Sequence, residues 1–311
     1  MRKYLFSLLF GTLFSIPVLA CLNGEQMVLA NHQLLYSDYE SDVPSGHDFG
    51  SKKRLEAFVA ALEKGYQKTK EIEYLSDKGF VLIILKRYQE AIDLYKEVES
   101  IEPGRYSTAS NMGTAYELIG NNREAFKWIE MAVKIKPNSH LKSEWIHINI
   151  LKAKMKGGSS VSSVDLIGKD FGNRQAPQST LSKDDLQMLK MQIYYQLNER
   201  MSFVKPKDKI VARLLFDLGN IEFLMNQKDD AMEDYQLAVD YGFDNPIIKK
   251  RLKLYTPVLS KPIEKLEETI HYHMREPQRF ELMEMMIAVS AFLGVGCLAF
   301  TFRRKIFLLL K

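Results

Sequence analysis

The stretch that decides the fold is Ile72–Arg105, IEYLSDKGFVLIILKRYQEAIDLYKEVESIEPGR, followed without a gap by Tyr106–Ser139, YSTASNMGTAYELIGNNREAFKWIEMAVKIKPNS. Both 34-residue windows carry glycine at the eighth position, alanine at the twentieth and proline at the thirty-second. The residues concerned are Gly79, Ala91 and Pro103 in the first window and Gly113, Ala125 and Pro137 in the second. Self-similarity at a fixed period indicates a repeat architecture.

This pattern resembles the tetratricopeptide repeat family, whose period it has. The resemblance implies an all-α solenoid of helical hairpins, because neither helix of a repeat can bury its apolar face alone. Gly79 and Ala91 are expected where the two helices of the first repeat cross. Pro103 is expected to end the second helix, since proline has no N–H to donate. An unrelated array of helical hairpins is the alternative.

A third copy is predicted at Ala212–Asn245, with glycine and alanine at the same offsets but Glu222 where an aromatic residue is expected. Two single helices are predicted beside the first two repeats. Lys52–Gln67 has one apolar stripe and should cap the first repeat. His140–Lys156 begins with helical spacing but does not complete a repeat, so it should cap the second.

The predicted segments follow in chain order. They are a signal peptide 1–20, an extended N-terminal arm 21–51, a capping helix and repeat array 52–156, a linker 157–180, a second helical region 181–256, a juxtamembrane helix 257–281, a transmembrane helix 285–302 and a cytoplasmic tail 303–311. The linker is rich in Gly, Ser, Asn, Gln and Pro. Within it, Val161–Ile167 is a candidate short strand.

The N-terminal end predicts export. Residues 1–20 have a basic start and an apolar run that ends in small or β-branched residues, as a secretory signal does. An uncleaved membrane anchor is the alternative. Val18–Cys21 resembles a bacterial lipoprotein box, so Cys21 is a candidate for lipidation.

The C-terminal end predicts a single membrane span. Met285–Phe302 holds no charged residue and as a helix would be about 27 Å long, close to the hydrocarbon thickness of a bilayer. The basic residues Arg303–Lys305 follow at once, and positive residues stay on the cytoplasmic side. We therefore expect a single-pass protein of the bacterial inner membrane whose body faces the periplasm. A buried core helix is the alternative.

Neither the charge nor the motifs of the sequence indicate catalysis or nucleic-acid binding. The net charge of +4 falls to about −2 once the basic residues near the two ends are set aside, so no nucleic-acid partner is expected. No cofactor or metal is predicted, because His271 and His273 would lie on opposite faces of a helix and no catalytic motif is complete. The remaining histidines have no evident partner in the sequence; they are His32, His47, His140 and His147.

The family resemblance also implies a binding surface, because the first helix of each repeat lines a concave groove in that family. Carried over by position, it implies that the groove is lined by Phe80, Ile83 and Ile84 in the first repeat, by Ser110, Thr114, Glu117 and Leu118 in the second, and by Phe216, Asn220 and Phe223 in the third copy. Packing against the capping helices is the alternative role for each. A partly apolar groove suits an amphipathic helix or an extended segment with apolar anchors.

The resemblance implies a non-catalytic scaffold that binds a peptide or helix of another envelope protein. Two alternatives stay open. One is a structural subunit of an envelope assembly, and the other is an enzyme whose site the sequence does not reveal.

Overall fold

The computed structural model describes residues 26–38, 41–157 and 161–255. Nearly all of them belong to one compact unit, Met1–Leu254, and a second unit comprises Tyr255–Lys311. The predicted signal peptide, lipidation site, juxtamembrane helix and transmembrane helix lie outside the described residues. Among the helices that are described, none is both long and apolar enough to cross a membrane.

Helices make up most of the described part of the chain. Its helices are α1 Lys52–Thr69, α2 Ile72–Ile84, α3 Tyr88–Ile101, α4 Tyr106–Leu118, α5 Asn122–Ile135, α6 Glu144–Met155, α7 Ser163–Ile167, α8 Lys183–Phe203, α9 Lys209–Leu224, α10 Lys228–Asp240 and α11 Ile247–Leu252. Two short antiparallel strands precede them, β1 Gln26–Val28 and β2 Leu34–Ser37. Short 3-10 turns occupy His140–Lys142 and Lys253–Tyr255.

Among the described residues, three helical hairpins correspond to the predicted repeats, formed by α2 with α3, α4 with α5, and α9 with α10. The first two begin at Ile72 and Tyr106, the first residues of the two sequence windows. A Cβ atom on Gly79 would lie 2.5 Å from the ring of Tyr95, which is closer than real Cβ contacts allow. The glycine at the eighth position is therefore required where the first helix meets the large side chain of the second.

The turns inside the three hairpins share one hydrogen-bond pattern. Each has a residue in the left-handed region at its centre, namely Lys86, Gly120 and Asn226. The following N–H reaches back five residues to a carbonyl in every case, at 2.9 Å from Arg87 to Leu82, from Asn121 to Tyr116 and from Gln227 to Glu222. This is the Schellman closure of a helix C-terminus. The third hairpin is thus built like the first two, and the fold is an α-solenoid of the tetratricopeptide type.

The region between the second and third hairpins differs from its prediction in two ways. The prediction of a short strand at Val161–Ile167 is wrong, because Ser163–Ile167 forms a short helix. The Ser162 hydroxyl accepts from the Asp165 N–H, and the Asp165 carboxylate accepts from the Ser162 N–H, which is a capping box. The helix expected over His140–Lys156 begins only at Glu144, because three residues with positive φ precede it.

The N-terminal arm forms the β1–β2 hairpin and then docks on α8. The Asn198 amide oxygen accepts from the Gly46 N–H at 2.9 Å, and the Ser202 hydroxyl accepts from the His47 N–H at 2.9 Å. Leu35 is fully buried in a core cluster that the arm shares with α1 and α2. Phe203, at the end of α8, packs against both this cluster and the one between α2, α3 and α4. The arm and α8 are therefore part of the folded body.

Candidate binding site

A cavity of about 420 Å³ lies between the first helices of the two repeats and α8, and we call it the groove cavity. Helices α2 and α4 supply one side, and the C-terminal half of α8 supplies the other. The α8 residues that line it are Tyr195, Gln196, Glu199, Arg200 and Phe203. Residues of the β-hairpin and of α6 also border it. The surface of the repeats at which the resemblance implies a groove therefore already faces a helix of the same chain.

Most of the predicted residues of the first two repeats meet at this cavity. They are Phe80, Ile83, Ser110, Thr114, Glu117 and Leu118. Ile83 is fully buried and forms the back of the wall. Ile84 is not among the lining residues; it packs instead against the cluster between the arm, α1 and α2.

The three residues predicted from the third copy lie elsewhere. Phe216 is 5% exposed and packs in the core, where it borders a separate cavity of about 340 Å³. Asn220 is fully buried, and its Oδ1 accepts from the Tyr235 hydroxyl at 3.0 Å and from Arg251 Nε at 2.7 Å. Phe223 packs against the same core. The structure gives these residues a packing role in place of a groove role.

Glu117 is the centre of an ionic network on the cavity wall. Its carboxylate accepts from Lys154 Nζ at 2.6 Å, from Arg200 Nη1 at 2.6 Å and from His147 Nε2 at 2.7 Å. The side chain is only 5% exposed. Burial alone would raise the pKa of Glu117, but the charges of Arg200, His147 and Lys154 hold it well below its ordinary value. Glu117 is therefore a carboxylate that ties α4 to α6 and α8. We call these four residues the Glu117 network.

A second carboxylate extends this network. Glu144 pairs with His140 and lies 3.6 Å from Nδ1 of His147. Burial raises the pKa of Glu144, but the hydrogen bonds of the two histidines outweigh it and lower the pKa to about 2. Burial lowers the pKa of His147, whereas Glu117 and Glu144 raise it above its ordinary value. Both carboxylates thus favour the protonated form of His147, which lies between them.

His47 fastens the arm to α8 beside the cavity. Its Nδ1 pairs with Asp38 and its Nε2 lies 3.1 Å from Oε1 of Glu199, while its ring stacks on Tyr36 at 4.1 Å between centroids. Burial lowers the pKa of His47, but the hydrogen bonds and charges of Glu199 and Asp38 raise it to about 9. The protonated imidazole therefore bridges the two carboxylates at neutral pH.

Sequence reasoning missed these histidine contacts. His140 and Glu144 are four residues apart and Glu144 and His147 are three apart, which is the spacing of neighbours on one helix face. That signal could have suggested a local cluster. The partners Glu117 and Arg200 could not have been found this way, because they lie 30 and 53 residues from His147.

The paired ionic groups hold helices α4, α6 and α8 together around the cavity. Within residues 26–38, 41–157 and 161–255, no three His, Cys, Asp or Glu side chains come close enough to hold one ion. Phe80, Leu118 and Phe203 make part of the cavity lining apolar. A ligand would therefore meet both apolar side chains and paired ionic groups.

Comparison with known proteins returns neighbours only among solved structures. No family model matches the sequence, and no curated protein does. MamA shares 14% identity over 62% of this chain and 94% of its own, with a TM-score of 0.32. TTC0263, a TPR protein of Thermus thermophilus, shares 12% over 67% and 92%, with a TM-score of 0.33. A tetratricopeptide repeat protein from Parabacteroides merdae shares 15% over 65% and 91%, with a TM-score of 0.29. The three hairpins and their shared turn geometry define the fold.

Proposed function

We propose that this protein is a non-catalytic scaffold that binds a segment of another protein in the groove cavity. The observation that carries the proposal is the cavity itself, which opens between the groove helices α2 and α4 and the chain's own helix α8. Its size falls in the range of about 300–1,000 Å³ that is usual for binding pockets. Because α8 fills the rest of the groove, the partner would insert a short segment rather than a whole helix.

The state of the ionisable groups supports a role without catalysis. A general acid or base needs an atom free to meet the substrate. Glu117 accepts hydrogen bonds from three basic side chains, and His147 is held between two carboxylates. These groups hold α4, α6 and α8 together, which is what a binding scaffold requires.

We further propose that the partner is an envelope protein and that a C-terminal span tethers the scaffold to the bacterial inner membrane, with the body in the periplasm. The charge-free run Met285–Phe302 and the basic residues after it support this orientation. Fractionation of cells, followed by protease treatment of intact spheroplasts, would test it. Degradation of the body in intact spheroplasts is expected, and full protection there would refute the orientation.

Crosslinking in cells, followed by purification of the full chain, would test the scaffold. Ser110→Trp places a large ring in the groove cavity, and Ser100→Trp places the same ring on the exposed surface of α3. We expect a small set of partner proteins that the native chain and Ser100→Trp capture and Ser110→Trp loses. Equal capture by all three chains would refute binding through the cavity. Replacement of the span by an unrelated one should leave capture intact, whereas a structural subunit that uses its span would lose it.

A further inference from the structure

The ionic groups that border the groove cavity neutralise one another. Glu117 faces two basic side chains, Arg200 and Lys154, and Glu144 faces His147. The remaining lining carboxylate, Glu199, shares His47 with Asp38, so these four carboxylates face four basic side chains. A charged ligand group would leave water without gaining an unpaired counter-charge, which is costly. The cavity is therefore matched to an uncharged occupant.

Another part of the cavity lining is apolar and partly aromatic. Phe80 and Leu118 come from the two repeats and Phe203 from α8, and all three are only partly buried. Tyr36 and Met27 of the β-hairpin border the same space. Aromatic and large aliphatic side chains gain most from such a surface, because burial of apolar area and ring contacts both contribute.

One polar group of the cavity has a fixed orientation and an open acceptor. The Tyr95 hydroxyl donates its single hydrogen to the Ser76 carbonyl at 2.8 Å, so its oxygen can only accept from Asn111. Asn111 Nδ2 donates to it at 2.9 Å, which fixes the direction of the amide. Among the described residues, none donates a hydrogen bond to Asn111 Oδ1. That oxygen is available to a backbone N–H of a bound segment.

From these three features we infer that the groove cavity receives one uncharged aromatic or large aliphatic side chain of the partner segment, whose backbone N–H donates to Asn111 Oδ1. The inference rests on the proposed function and gives the chemistry of its partner. Its basis is the paired ionic groups, the apolar part of the lining and the oriented amide.

The test uses the full chain in detergent and three small probes that share one indole ring. N-acetyl-tryptophanamide is neutral, N-acetyl-tryptophan carries a carboxylate and tryptamine carries an ammonium group. Saturation-transfer NMR with the native chain, Ser110→Trp and Ser100→Trp would measure binding, and circular dichroism would confirm that the variants are helical. Thr114→Phe provides a second obstruction of the same wall if Ser110→Trp does not fold. Identical micelles without protein correct for partitioning of the probes.

We expect the neutral probe to bind the native chain and Ser100→Trp at about millimolar concentration, as fragments do. Binding to Ser110→Trp or Thr114→Phe should fall at least about tenfold, and each charged probe should bind the native chain at least about tenfold more weakly. Binding of a charged probe as tight as that of the neutral one would overturn the inference, as would binding that the obstructed variants retain. In either case, partner capture that is still lost in Ser110→Trp would leave the scaffold proposal standing. Partner capture that Ser110→Trp retains would refute both the scaffold proposal and this inference.

Discussion

Replacement of Glu117 by alanine tests the role of the ionic network in holding α8 in the groove. The variant removes a carboxylate that is 5% exposed and leaves Arg200, His147 and Lys154 without it. Removal of one partner from a buried ion pair costs about 3–5 kcal/mol, because the other charge stays buried. We expect the cost of Glu117→Ala to lie at the lower end of this range of free energies. His147 can release its proton, and Lys154, at 25% exposed, can turn towards water. Arg200, at 8% exposed, can do neither, so we expect about 3 kcal/mol.

The assay is urea denaturation of the full chain followed by circular dichroism at pH 7. Glu97→Ala is the matched control, because Glu97 is an exposed glutamate on α3, and it should change the unfolding free energy by less than about 0.5 kcal/mol. The double variant Glu117→Leu with Arg200→Leu should recover part of the loss, since an apolar pair no longer buries an unmatched guanidinium. A cost below about 1 kcal/mol for Glu117→Ala would refute the view that this carboxylate holds the groove closed.

Three further predictions follow from other contacts. Burial raises the pKa of Asp217 to about 7 and that of Glu222 to about 7, and it raises the pKa of Asp234 well above its ordinary value. The folded chain therefore retains protons that the unfolded chain releases near pH 4, so thermal stability should fall as the pH rises from about 4 through 7. The double variant Asp217→Asn with Glu222→Gln should flatten this dependence of the melting temperature on pH. An unchanged slope would contradict the prediction. Gly79→Ala should cost about 1–3 kcal/mol in urea denaturation, because its Cβ would lie 2.5 Å from the Tyr95 ring, and a neutral result would show that the ring can move away. His47→Ala should speed amide hydrogen exchange in residues 26–50 by loss of the bridge between Asp38 and Glu199, whereas the exposed His32→Asn should not; equal exchange in both would refute the bridge.

The third hairpin shows why the sequence pattern predicts some residues and misplaces others. Glycine and alanine at fixed offsets predict the hairpin, because its two helices can approach each other closely only where these side chains are small. Glu222 departs from the pattern, and the structure explains it. Its carboxylate lies 3.2 Å from Lys190 Nζ on α8 and is fully buried. Where the repeat pattern expects an aromatic residue, Glu222 instead contacts Lys190 on another helix.

The candidate site was also predictable only in part, because some of its contacts come from helices outside the repeats. Position within the repeat indicated Ser110, Thr114 and Glu117, and these residues do border the groove cavity. Position could not show that α8 would occupy the groove. Nothing local in Lys183–Phe203 indicates which surface of the fold this helix will cover.

By itself, the sequence determined the repeat period, the helical hairpins and, in the first two repeats, most of the positions that border the groove cavity. These follow from contacts within about one repeat, where small residues and turn residues act on neighbouring helices. Only the tertiary structure decided what fills the groove. The contact of Arg200 with Glu117 spans 83 residues, and that of His47 with Glu199 spans 152. Pairings at such separations depend on how the whole chain returns on itself, which no local pattern records.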